Sequence, residues 1–141
     1  METSERKSVT VQTIINADID KVWNYWSEPV HITKWCQASD DWHAPFAEND
    51  LKKGGSFKTT MAAKDGSMQF DFGGVYDEVI PNSRIAYTMS DGRRVDISFT
   101  PKGESVEVVE TFDAENTHPV EMQRAGWQAI LDNFKKYTEA N

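Results

Sequence analysis

The sequence predicts an α+β fold in which a curved antiparallel sheet of six to seven strands wraps one long C-terminal helix. Three observations carry this expectation. Apolar residues recur with period two through most of residues 41–112, and short turn signals break the alternation. Such turns join neighbouring antiparallel strands. From Pro119 onward the period lengthens to that of a helix. A glycine pair, Gly73-Gly74, interrupts the longest strand candidate, and a bend there curls a sheet around a helix.

The elements follow in order. Residues 8–15 alternate Val9, Val11 and Thr13 against Thr10, Gln12 and Ile14, a β-rich first strand. Asp18 is a suitable N-cap, because its carboxylate accepts from the unpaired amides of the next turn. Ile19, Val22, Trp23 and Trp26 then share one helical face. Pro29 opens a second short helix through Trp35, at a position where its missing N–H costs nothing. The remaining strand candidates are 41–47, 56–62, 67–80, 84–90, 93–100 and 105–112. Asp65-Gly66, Pro81-Asn82-Ser83, Asp91-Gly92 and Pro101-Lys102-Gly103 supply turn chemistry between them.

Within 67–80 the apolar parity changes. Met68, Phe70 and Phe72 occupy even positions and Val75 and Val79 odd ones, so a bulge is expected at Gly73-Gly74. The last helix is expected over about 118–138, capped by Thr117 or His118. Val120, Gln123, Trp127, Ile130, Leu131 and Phe134 make its inner stripe, and Asp132 and Lys136 are spaced for an ion pair. It is roughly 28 Å long at ~1.5 Å per residue.

The 141 residues suit one domain spanning 1–141. A single cysteine, Cys36, excludes a disulfide framework and fits a reducing, cytoplasmic setting. Fifteen basic residues against twenty-three acidic ones leave a net charge of −8, which argues against nucleic acid and anionic membranes as partners. No apolar run is long enough for membrane insertion. Sixteen aromatic residues stand in a chain only 38% hydrophobic, so apolar mass is concentrated in a few large rings.

Catalytic signatures are sparse. The chain holds no G-x-S-x-G, H-E-x-x-H, Walker or G-x-G-x-x-G pattern. Lys53-Gly54-Gly55-Ser56 reads as a turn. His31, Cys36 and His43, with Asp40 and Asp41, match no zinc spacing, so neither metal nor cofactor is expected. Asp40-Asp41 and Glu107-Glu110 read as surface charge. The prominent content is aromatic and thioether side chains on strands, facing Trp26, Trp35 and Trp127. They read either as an ordinary core or as the walls of a cavity.

These pieces resemble the START-like (SRPBCC) superfamily, and within it the homologues of the activator of heat shock protein 90 ATPase. The resemblance rests on Ala17-Asp18-Ile19-Asp20-Lys21-Val22-Trp23, on Pro29 through Trp35 and on Gly54-Gly55-Ser56-Phe57. It continues through Gly74-Val75-Tyr76-Asp77-Glu78-Val79-Ile80-Pro81, Ile85-Ala86-Tyr87 and Gly126-Trp127 in the final helix. It implies a helix-grip fold with two short helices after strand one, and a deep apolar cavity between sheet and C-terminal helix.

On this basis the leading expectation is intracellular binding of a small hydrophobic molecule, a lipid, polyketide or aromatic. The expected wall residues are Trp35, Phe57, Phe70, Phe72, Tyr87, Phe99 and Trp127, with Tyr76 and His43 orienting a polar end. Gly126 would allow close helix–sheet approach. Two alternatives stay open: a cyclase- or hydrolase-type enzyme within the cavity, and a co-chaperone-like domain with a chaperone partner. No catalytic residues are assigned, and a monomer or weak dimer is expected.

Overall fold

The computed structural model describes residues 7–37, 40–89, 91–115 and 118–141. Its elements are β1 (Ser8–Ile15), α1 (Ile19–Ser27), α2 (Pro29–Trp35), β2 (Trp42–Asn49), β3 (Ser56–Ala63), β4 (Gln69–Ile80), β5 (Arg84–Met89), β6 (Arg94–Lys102), β7 (Ser105–Asp113) and α3 (Val120–Ala140). The seven strands form one antiparallel sheet in the order β1-β7-β6-β5-β4-β3-β2. Strands β1 and β2 follow one another in the chain yet lie at opposite edges, so α1 and α2 carry the chain from one edge to the other. This is the helix-grip arrangement.

Local chemistry sets the first elements. The Asp18 carboxylate accepts from the amides of Asp20 (2.9 Å) and Lys21 (3.2 Å), satisfying two donors that α1 cannot satisfy itself. Pro29 starts α2 where no intrahelical donor is needed. Among the described residues four tight turns use glycine at positive φ, and the turn before β5 uses Asn82 at φ 62°.

The inner face of the sheet follows strict alternation. Ile85, Tyr87 and Met89 are buried on β5, Val95, Ile97 and Phe99 on β6, and Val106, Val108, Glu110 and Phe112 on β7. Leu131, Phe134 and Thr138 of α3 are buried against this layer.

The parity change in β4 does not arise at the glycines. Pairing of β3 with β4 is continuous through Phe57↔Gly74 and Lys58↔Gly73. The register slips between Tyr76 and Glu78, opposite β5, so the bulge lies at Asp77. Tyr76 therefore points inward and Val75 is exposed. The glycines serve close approach instead. A Cβ at Gly73 would meet the Phe57 carbonyl oxygen at 2.4 Å, and one at Gly74 would meet that of Thr88 at 2.4 Å.

The entry to α3 also differs from expectation. Pro119 is the N-cap and gives no side-chain cap, while the His118 ring lies against the Glu115 carboxylate. Thr117 lies outside the described residues. The buried Gln123 ties this corner together: its amide donates to the carbonyls of Glu115 (3.1 Å) and His118 (2.8 Å), and its Oε1 accepts from the Glu115 amide (2.8 Å). Asp132 accepts from Gln128 at 2.8 Å, and Lys135 pairs with Glu139, so the spacing of Asp132 and Lys136 gives no ion pair among the described residues.

Polar side chains of α3 also cover the edge strand. Arg124, Gln128 and Lys135 donate to the carbonyls of Thr10 (3.3 Å), Gln12 (3.1 Å) and Ile14 (2.7 Å). Glu139 accepts from the Asn16 amide at 2.8 Å. Groups that would be open to another strand are thereby occupied. The helix is held along β1, and the space it leaves lies toward β3 and β4. Among the described residues no helix is long and apolar enough to cross a membrane.

Candidate functional site

Between α2, α3 and the concave face of the sheet lies a cavity of about 630 Å³. Its walls are mainly aromatic. Trp26 and Trp35 sit with ring centroids 5.0 Å apart at the α1–α2 side. On the sheet, Phe57 meets Tyr87 edge-on at 4.7 Å, and Phe72 meets Trp127 edge-on at 6.0 Å. Edge-to-face contacts are favourable for aromatic quadrupoles, so the rings brace one another while leaving one flank of each free.

Seven of the nine anticipated residues border this space: Trp35, Phe57, Phe70, Phe72, Tyr76, Tyr87 and Trp127. Two do not. Phe99 is buried edge-on against Trp23 (5.4 Å) and Trp26 (5.7 Å), so it backs the wall without reaching the space. His43 is exposed on β2, away from the lining. Tyr76 is half-committed, since its hydroxyl donates to Asn49 Oδ1 at 2.5 Å, and the Asn49 amide donates to the Ser27 carbonyl at 2.7 Å. Gly126 borders the cavity, and a Cβ there would meet nothing within 4 Å. It opens room beside α3 and makes no close approach to the sheet.

His31, Cys36 and His43 are dispersed. His31 stacks on Tyr25 at 4.0 Å and shares a 2.7 Å hydrogen bond with the Tyr137 hydroxyl. Cys36 lines the cavity, and His43 is exposed. Among the described residues no three His, Cys, Asp or Glu side chains converge to hold a metal.

The sequence reading missed Glu110. It is only 6% exposed and borders the cavity, where surface charge had been expected. Burial pushes its carboxyl up to about 8. The same burial, followed by the charge of Glu110, raises Tyr87 well above the ordinary phenol range and Cys36 to about 12. The signal was available: Val106, Val108 and Phe112 share the parity of Glu110. Arg93, Glu48 and His118 also line the space. Arg93 holds Asp91 (2.7 Å), and His118 faces Glu115 (3.1 Å).

A family described as Activator of Hsp90 ATPase homolog 1-like protein matches residues 16–139. The solution structure of the AHSA1-like protein from Aeromonas hydrophila is 45% identical, covers 95% of this chain and 93% of its own, and superposes with a TM-score of 0.89. A solution structure from Cytophaga hutchinsonii is 61% identical over 95% of this chain and 93% of its own, with a TM-score of 0.82. A crystal structure from Chromobacterium violaceum, at 22% identity, covers 96% of this chain and 99% of its own with a TM-score of 0.85, which extends the likeness of fold alone. Among curated proteins no sequence matches.

Proposed function

The chain belongs to the activator of Hsp90 ATPase homolog 1-like family, within the START-like superfamily, and we propose that it binds a small hydrophobic molecule in the cavity between sheet and α3. One observation carries this reading: a space of about 630 Å³ stays open beneath α3 although large rings surround it. Ligand pockets commonly run about 300–1,000 Å³ and are apolar with few polar groups. An ordinary core would close such a gap, because unfilled apolar volume lowers stability. The ligand classes that fit are a lipid, a polyketide or another aromatic compound.

A thermal-shift screen across fatty acids, sterols and aromatic polyketides tests the proposal. A ligand held at about one hundred times its Kd adds about 2.7 kcal/mol of stability. The expected result is a shift with at least one class that Gly126→Leu weakens by narrowing the cavity beside α3. No shift with any class, together with no retained small molecule in native mass spectrometry of the protein from its own host, would sink the reading.

A further inference from the structure

We infer that the cavity receives a carbonyl oxygen on an apolar skeleton, with the Tyr87 hydroxyl and the Glu110 carboxyl acting together as the proton donors that hold it. The inference rests on the ligand-binding reading above and goes on to name the chemistry of the ligand.

Strand register and burial put the two groups on one face of the sheet, beside the same space. Tyr87 pairs with Val95 of β6, Val95 pairs with Phe112 of β7, and Glu110 is two residues from Phe112 on the same face. The two side chains therefore rise from the inner face on either side of β6. Both are only 6% exposed and both border the cavity. Neither side chain has a hydrogen-bond partner among the described residues, whereas the neighbouring Tyr76 hydroxyl is engaged by Asn49. Their polar ends open on the cavity and are not sealed in the core, so a ligand atom there can take up their hydrogen bonds.

The protonation of the pair selects the ligand atom. Burial raises both groups, Glu110 to about 8 and Tyr87 further, so each carries its proton near neutrality. A neutral acid and a phenol each offer an O–H donor, and two donors suit a single acceptor oxygen. An ammonium would meet the opposite demand, because Glu110 would have to ionise where burial opposes it and Tyr87 would gain no acceptor. The other titratable or charged groups facing the space are Cys36, whose thiol is a weak donor, Tyr76, Glu48, Arg93 and His118. Arg93 and His118 are held by carboxylates of their own, which leaves Glu110 uncompensated.

The test uses two shape-matched probes, acetylnaphthalene and isopropylnaphthalene, titrated calorimetrically against the intact chain. The ketone is expected to bind about tenfold or more tightly than the hydrocarbon near pH 6. Tyr87→Phe and Glu110→Leu should each remove most of that preference, read as the ratio of the two affinities in each variant. In the wild type the preference should fade as Glu110 ionises between about pH 6 and about pH 10, whereas Glu110→Gln, which keeps an N–H donor, should hold it constant. If Glu110→Leu fails to fold, Tyr87→Phe and the pH series decide alone. Equal affinity for both probes, or a preference that survives Tyr87→Phe and high pH, overturns the donor pair while the ligand-binding reading stands. Binding of neither probe overturns the donor pair and counts against the ligand-binding reading too.

Discussion

The indole of Trp127 lies flat on the ring of Phe112, with centroids 4.0 Å apart and planes 9° from parallel. Phe112 is fully buried, whereas Trp127 is only partly so, because its other flank borders the cavity. The stack joins α3 to β7 at the point where packed core gives way to open space. Trp127→Ala is expected to cost about 2 kcal/mol in chemical denaturation, below the 3–5 kcal/mol typical of a fully packed indole. A loss of 4 kcal/mol or more, on the order of a fully packed site, would show the flank to be closed.

Glu110 gives a stability profile with a definite sign. Its carboxyl is raised from 4.5 to about 8 in the folded chain, so the unfolded state loses its proton first as pH rises. Between those values the unfolded state binds fewer protons, and the stability of the folded state falls with increasing pH. Glu110→Gln removes this penalty. The variant should equal the wild type near pH 4 and exceed it by up to about 3 kcal/mol at pH 7, measured by urea denaturation across the range. A constant difference over that interval would show that Glu110 is not buried uncharged.

The Tyr76–Asn49–Ser27 chain of hydrogen bonds offers a coupling measurement. Asn49→Ala removes the acceptor for a buried hydroxyl and the donor to a helix-end carbonyl, at a cost of about 1–3 kcal/mol. Tyr76→Phe in that background should cost much less than in the wild type, since the hydroxyl is already orphaned. Additive losses in the double-mutant cycle would mean the two side chains act independently.

Two glycines should respond in opposite ways. Gly126→Ala meets open space within a helix and should stabilise the chain by about 0.5–1 kcal/mol through helix propensity. Gly74→Ala drives a Cβ toward the Thr88 backbone and should lower the melting temperature and disturb the β4–β5 pairing. Calorimetry on both variants checks the pair; the same sign for both would contradict the contacts described.

Much of the fold was legible because local patterns and tertiary packing agree. Asp18, Pro29, the alternation of β5 to β7 and the stripe of α3 each report the environment they enter. The β4 bulge was misplaced because glycine is read as a bend, whereas here it answers to the carbonyls of neighbouring strands. Those contacts are set by pairing, which no local pattern contains. Phe99 was assigned to the cavity because a ring facing inward has the same sequence signature whether its front is packed or empty. Glu110 was lost for the opposite reason. Its charge suggested solvent although its parity placed it inside, and parity prevailed because β7 is flanked on both sides by strands and covered by α3.

The strand order has a consequence for how the chain is made. Among the described residues β1 has one partner strand, β7, and the pairing of Ser8 with Asp113 joins the first strand of the chain to the last. During synthesis the first strand emerges long before its partner and waits, unpaired, while β2 to β6 can already zip through short turns. Closure then depends on a distant encounter, and chains dominated by such long-range pairings fold slowly. The polar residues of α3 that reach the β1 carbonyls arrive later still, so this edge gains its guard only after the rest of the sheet has been made.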